Sequence, residues 1–198
     1  FPGWENIYLV KIDASGNIVW EKTFGGEKDD YVASVEETAD GGCLIAGSSN
    51  SFKTRGDYDV YLVRLNASGE KIWENAYGGG DDDAGQFICI GDDGGCFIAG
   101  STYSSVSGNI EDVYIVKTGA NGDKVWEKTF GGTGSDAIVN AQRTADGGLI
   151  MAGTTGSFPG WENIYLVKID ASGNKSWEKT FGRDGDFHDY GVSVREAK

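Results

Sequence analysis

Proline and histidine are nearly missing from this chain, whose 198 residues hold 2 Pro and 1 His. A lone His188, in Asp186-Phe-His-Asp-Tyr190, reads as a loop residue rather than a catalyst, which argues against a histidine-dependent triad and a His-rich metal centre. Gly-x-Ser-x-Gly, a phosphate-binding P-loop and His-Glu-x-x-His are all absent from the sequence. Three cysteines, Cys43, Cys89 and Cys96, make neither a disulfide framework nor a Cys-x-x-Cys metal spacing. Cys43 and Cys96 each open an apolar run after Asp-Gly-Gly and read as small core residues. Cys89 and Cys96 flank one turn and would be diagonal neighbours if Gly91 opposed Cys96, which leaves a disulfide between them open. No apolar run approaches the ~18 residues needed to cross a bilayer, so membrane insertion is not expected. Positive charge is also scarce, with 17 Lys+Arg against 31 Asp+Glu and a net charge of −14. That sign repels phosphate backbones and anionic headgroups, which argues against nucleic acid and membrane surfaces as partners. It suits divalent cations or cationic ligands, although runs such as Asp81-Asp82-Asp83 also read as solvated surface.

What the chain does have is 32 Gly, 6 Trp, 9 Tyr and 9 Phe, arranged in a phrase said four times. Tyr-Leu-Val-Lys at 8–11 returns at 61–64, 114–117 and 165–168 with small changes, and Trp20, Trp73, Trp126 and Trp177 follow in step. Such a period marks a repeat architecture, in which one unit cannot bury its apolar face alone and stacks on its neighbours. Within the unit, Tyr31–Thr38 is a β-type run, call it A, closed by the turn Ala39-Asp-Gly-Gly42. Cys43–Gly47 is a wholly apolar run B, and Asp59–Asn66 is C. A tight Ala-Ser-Gly turn leads to D, Lys71–Tyr77, and no helical period occurs anywhere. The fold expected is all-β: a β-propeller, 1–198, of four-stranded antiparallel blades. The chain reads C-D, then A-B-C-D three times, then a last A at Asp189–Ala197. Strand B of the remaining blade has a template in Gly148–Ser157, which directly precedes Phe158. Because Phe1–Asn17 repeats Phe158–Asn174 residue for residue, that strand is expected just before Phe1 in a longer parent, or from another copy.

Four positions carry the chemistry worth weighing. A buried tryptophan contributes about 2–3 kcal/mol, and one in every unit is what an interblade seam requires. Asp30, Asp83, Asp136 and Asp189 head the four A runs, with Asp29, Asp82 and His188 beside them. If A lines a central channel, these four carboxylates ring its mouth as a Ca²⁺ site, or each holds the backbone of its own turn. Asn6, Asp59, Asp112 and Asn163 precede the C runs, and the mixture of Asn and Asp points to Asx-type turns. The B-to-C loops, Ser48–Tyr58, Ser101–Glu111 and Thr154–Glu162, differ between units. Trp4, Arg55, Tyr103, Phe158 and Trp161 lie on loops of this kind, where they would either grip a ligand or fold back on their own blade. Asn66-Ala67-Ser68 fits a glycosylation acceptor, but aspartate takes the same position in two other units, so the turn explains Asn66 by itself. Carboxylate pairs are too common among 31 acids to single out a glycoside-cleaving pair.

The units Asp13-Ala-Ser-Gly16…Trp20, Asn66…Gly69…Trp73, Gly119…Gly122…Trp126 and Asp170…Gly173…Trp177 resemble the tryptophan-docking motif of quinoprotein-type propellers. They depart from it by one residue between Asp and Gly, and by Ser15, Ser68, Ser172 or Asn121 where threonine is usual. Val-Lys-Ile-Asp-Ala-Ser-Gly-Asn, Trp-Glu-Lys-Thr-Phe-Gly-Gly and Asp-Gly-Gly-x-x-Ile-Ala-Gly-Ser resemble secreted bacterial and archaeal β-propeller repeat proteins over the whole chain. The resemblance implies an extracellular or cell-surface protein, a prokaryotic scaffold or binding module without catalysis. Its partners would be proteins or carbohydrates at that surface. The rival readings are a calcium-dependent carbohydrate-binding adhesin and a quinoprotein-like or polysaccharide-cleaving enzyme. Calcium is the one cofactor these readings invoke.

Overall fold

A computed structural model describes residues 5–52, 57–103, 110–158, 162–183, 188–191 and 193–196. Strands and no helix occur among them. The chain starts with an antiparallel hairpin, β1 (Ile7–Ile12) and β2 (Ile18–Phe24). Three four-stranded antiparallel meanders follow. The first runs β3 (Asp30–Glu37), β4 (Cys43–Ser49), β5 (Asp59–Leu65), β6 (Lys71–Tyr77). The second runs β7 (Asp83–Ile90), β8 (Cys96–Thr102), β9 (Asp112–Thr118), β10 (Lys124–Phe130). The third runs β11 (Asp136–Arg143), β12 (Leu149–Thr155), β13 (Asn163–Ile169), β14 (Lys175–Phe181). These are the A, B, C and D runs in the order expected from the repeats.

The last A run is a correction. The described residues of Asp189–Ala197 form no strand. They nevertheless lie against the third meander: Asp189 N donates to Glu162 O, just before β13, at 2.9 Å, and Val194 N to Asn140 Oδ1 of β11 at 3.2 Å. Strands β3, β7 and β11 each pair with a B strand, and among the described residues this segment has no such partner. Without a ladder the extended backbone stays irregular. The cysteine geometry is a second correction. Cys96 stands opposite Ile90, and Cys89 opposite Phe97. That one-residue offset sends the two side chains to opposite faces of the sheet. All three thiols are free; Cys96 Sγ lies 3.3 Å from Thr118 Oγ1, and Cys89 Sγ points to the Ala141 carbonyl.

The core lies in the seams between successive sheets. Ile7 and Leu9 of β1 pack with Ile45, Tyr61, Val63 and Leu65 of the first meander. The opposite face of that meander, Leu44, Ala46, Val60 and Leu62, packs with Ile88, Ile98, Tyr114 and Val116 of the second. Val113, Ile115 and Phe97 then meet Ile138, Met151, Tyr165 and Val167 of the third. This explains why the B and C runs are apolar at consecutive positions instead of alternating. Both their faces are covered, and burial of both faces calls for apolar residues on each. The D strands lie at the outer edge of each sheet and alternate with charge.

Each A strand skips one residue against its B partner, between Val32 and Ser34, Gly85 and Phe87, and Ile138 and Asn140. The bulge presses backbone onto Gly47, Gly100 and Gly153, where a Cβ would collide with the facing carbonyl. The tryptophans bridge units. Trp20, Trp73 and Trp126 lie against Gly69, Gly122 and Gly173 in the C-to-D turn of the next unit, and Trp20 Nε1 donates to Ala67 O at 3.1 Å. A cation on the C strand of each four-stranded sheet clamps the A-to-B turn of that sheet: Arg64 to Asp40 at 2.6 Å, Lys117 to Asp93 at 2.8 Å, Lys168 to Asp146 at 2.8 Å.

Gly122 has φ +82°, and an added Cβ would sit 2.9 Å from the Trp73 ring. Gly16, at the same repeat position with the same φ of +82°, has open space around it. Thermal unfolding of Gly122→Ala is expected to show a loss of roughly 1–3 kcal/mol, and of Gly16→Ala clearly less. Equal losses would mean that the indole contact carries no weight. A second expectation concerns acid. The Lys117 ammonium holds the Asp93 carboxyl below its ordinary range. A carboxylate depressed by folding stabilises the protein above its unfolded value of about 4 and ceases to do so as pH falls through the folded value. Asp93→Asn should therefore lower Tm at neutral pH, with the gap to the wild type closing in strong acid. A gap independent of pH would contradict the ion pair.

Candidate functional site

The corner where each D strand turns into the next A strand is built from a glycine and two Asx residues. Asp83 accepts from Gly79 N at 2.6 Å, and Asp136 from Gly132 N at 2.9 Å and Ser157 Oγ at 2.5 Å. Asp30 accepts from Gly26 N at 2.7 Å, Ser51 Oγ at 3.0 Å and Ser49 Oγ, and Asp189 from Arg183 N at 2.8 Å. Each of the four aspartates expected as a channel-mouth ring thus holds its own turn. The second ladder meets the first at these corners. Asn6 and Asp30 flank Gly25, Asp59 and Asp83 flank Gly78, and Asp112 and Asp136 flank Gly131. Buried carboxylates therefore come together in twos at Asp59–Asp83 and Asp112–Asp136. No three His, Cys, Asp or Glu side chains gather at one point among the described residues.

The repeats disagree one step away, and there a cleft opens. Tyr31, Ser48, Tyr58, Asp82, Asp83, Ala84, Ser101 and Tyr103 line a cavity of about 350 Å³ between the first and second meanders. A second hollow of about 270 Å³, walled by Asp57, Asp81, Asp82 and Tyr103, adjoins it through Asp82 and Tyr103. The backbone sets this arrangement. Tyr58 N donates to Asp82 Oδ1 at 2.8 Å, and Tyr103 N to Asp82 O at 2.9 Å. Asp83 N donates to Tyr58 O at 2.7 Å, tying the second meander to the loop of the first. The Tyr31 and Tyr58 rings meet at 5.8 Å, tilted by 42°, and Tyr58 Oη donates to Asp29 Oδ2 at 3.4 Å.

Nearby carboxylates hold two of the cleft's phenols, Tyr31 and Tyr103, in their neutral form. Hydrogen bonding to Glu5 and then to Tyr58 raises the Tyr31 pKa well above its ordinary value. The charge of Glu111, followed by desolvation and Asp82, raises Tyr103. Neutral phenol faces beside carboxylates offer stacking surface, hydroxyl donors and anionic acceptors together. That combination suits a sugar ring or an organic cation.

Of the loop residues singled out from the sequence, Tyr103 stands in this cleft. Phe158 leans on Tyr165 of its own sheet at 6.4 Å between ring centres. Trp4, Arg55 and Trp161 lie outside the described residues. Tyr58 escapes a search for repeated chemistry because the other loops have Glu5, Glu111 and Glu162 at its position, and Tyr31 returns only as Tyr190 of the last run, with Ala84 and Ala137 in the second and third units. Departure from the repeat is the signal that finds them.

Replacing the buried Asp136 by alanine removes an acceptor from Gly132 N and leaves Ser157 Oγ with the Gly134 carbonyl. A loss of roughly 2–4 kcal/mol is expected in chemical denaturation. Asp136→Asn, which keeps an acceptor oxygen, should lose less; equal losses would show that charge and not hydrogen bonding is what the corner needs.

No family model matches the chain. Over 123 residues it is 23% identical to "Regulatory protein FlaEY" of Caulobacter vibrioides, an alignment covering 54% of this chain and 13% of that protein. The chain therefore spans a small part of that relative's length.

Proposed function

We propose that this chain is a non-catalytic β-propeller module of an extracellular or cell-surface protein, with the tyrosine-lined acidic cleft as its ligand surface. The meanders correspond to blades, with an apolar core in each seam and an indole from each unit resting on the next. The composition supports the location: a strongly acidic, glycine- and aromatic-rich repeat chain like the secreted repeat proteins that it resembles. The single observation that carries the binding role is the cleft itself, where Tyr31, Tyr58 and Tyr103 meet acidic side chains between the first and second meanders. Neutral saccharide is the ligand class that this lining favours, because phenol faces stack on the apolar face of a pyranose while carboxylates accept from its hydroxyls. The regulatory role named for FlaEY is not carried over, since the alignment covers 13% of that protein.

A calcium-dependent form of the same module is a second reading, favoured by the paired carboxylates Asp59–Asp83 and Asp112–Asp136. In it the corner aspartates would accept the ion as well as their turns. The two readings separate in one set of experiments. On an immobilised panel of neutral oligosaccharides, one glycan class should be retained by the wild type and released about tenfold more easily by Tyr103→Ala, with Tm unchanged. Failure of every glycan to bind, or equal binding by the variant, overturns the cleft. Calcium in millimolar excess should raise Tm by a few degrees, and a chelator should reverse the rise, if the corners hold the ion. An unmoved Tm removes calcium and leaves the saccharide reading intact.

A further inference from the structure

The C strands of the three meanders carry a tyrosine at one position, Tyr61, Tyr114 and Tyr165, and each donates its hydroxyl to a glutamate of its own D strand, Glu74, Glu127 or Glu178. In the first and third meanders a phenylalanine from the B-to-C loop meets that tyrosine. Phe52 stacks on Tyr61 with ring centres 5.0 Å apart and planes inclined by 29°, and Phe158 leans on Tyr165 at 6.4 Å. Both phenylalanines follow a serine, Ser51 or Ser157, whose hydroxyl donates to the corner aspartate and whose Cβ packs against a turn glycine, Gly26 or Gly132. The middle unit has Ser105 where its neighbours have phenylalanine. Ser105 lies outside the described residues, so the comparison at that position is one of sequence.

At the place that corresponds to the ring, the middle unit has a hollow of about 320 Å³, lined by Gly78, Gly79, Asp83, Thr102, Tyr114 and Glu127 among others. Their counterparts in the first unit, Gly25, Gly26, Asp30, Ser49, Tyr61 and Glu74, build the corner on which Ser51 and Phe52 sit. Among the described residues no ring stacks on Tyr114. The polar floor is thus common to the units, and the aromatic cover is what differs. The charges around the hollow are also defined. Asp83 and Glu127 bring carboxyl groups to its wall, while Lys128 sends its ammonium across to Ser172 O and Asn174 Oδ1 of the third unit, at 3.2 Å each. Lys124 pairs with Glu127 at 2.8 Å in an exposed place, where such a pair neutralises weakly.

We infer that this hollow is a binding site for an arylalkylamine, a single aromatic ring carrying an alkylammonium group, seated on Tyr114 as Phe52 is seated on Tyr61. Its volume admits one substituted ring, since a cavity of about 150 Å³ already holds benzene. Ring-on-ring contact with the phenol face draws the aromatic part. The ammonium finds Glu127 and Asp83 at the wall, and the net charge of −14 favours a cation over an anion throughout the approach. The site goes beyond the saccharide reading: it reaches the D strand β10 and shares only Asp83 with the tyrosine cleft.

The test is a titration of the protein with 2-phenylethylamine, followed by the amide NMR signals of Gly78, Gly79 and Glu127–Thr129. Saturable shifts of these signals are expected at millimolar concentration or below. The neutral isostere 2-phenylethanol should bind about fivefold more weakly, and phenylacetate at least about tenfold more weakly. Ser105→Phe, which gives the middle unit the ring of its neighbours, should abolish the shifts. Glu127→Gln should narrow the gap between amine and alcohol, and Tyr103→Ala, a change in the cleft, should leave the amine's affinity as it is. Absence of saturable shifts in the wild type overturns the proposal, as does equal binding of the alcohol or the acid. So do shifts that persist in a natively folded Ser105→Phe, or that fall on Tyr58, Asp82 and Tyr103 and disappear with Tyr103→Ala. Should Ser105→Phe fail to fold, the ligand series on the wild type and on Glu127→Gln decides by the same criteria.

Discussion

Each sheet in this protein has two apolar faces, and its stability depends on giving both to a neighbour. Strands β5 and β9 show the constraint most clearly, with Val60, Leu62, Val113 and Ile115 buried on one side and Tyr61, Val63, Tyr114 and Val116 on the other. A four-stranded sheet with a single covered face would leave about half of these side chains in water, each at a cost of roughly 1.5–3 kcal/mol. The indoles and the positive-φ glycines serve the same seam. They let a D strand touch the C-to-D turn of the next unit without a Cβ between them. The bulges in β3, β7 and β11 do this at the other edge of the sheet, where the glycines of the B strands allow close backbone approach.

Function grows out of what the seam leaves over. The corner aspartates are occupied in holding their turns, and the repeated chemistry is therefore mostly architecture. The tyrosine cleft opens where the first and second units differ in sequence while their backbone contacts stay the same, as in the Asp83-to-Tyr58 bond and its counterpart from Asp136 to Glu111. A conserved frame with a variable lining lets one corner acquire a ligand without disturbing the others.

Much of the strand plan was legible in the sequence. The turn glycines after Asp40, Asp93 and Asp146 mark the hairpins, and the doubly apolar B and C runs read correctly as central strands. The last A run was misread because its residues look like β3, and periodicity does not say whether a ladder partner exists. The Cys89–Cys96 geometry went astray by a single residue of register, enough to put the thiols on opposite faces. The cleft was legible only through Tyr103. Its other aromatic members come from a strand head and a loop end brought together by the packing of two units, a relation that no local pattern encodes.

The account holds that place in the array, and not sequence, decides how far a strand is buried. The identical strands Ile7–Ile12 and Ile164–Ile169 test this within one molecule by native-state amide hydrogen exchange. Protection of Tyr165–Ile169 should exceed that of Tyr8–Ile12 by orders of magnitude, because only the former have β12 alongside. Equal protection of the two strands in the free monomer would contradict the account.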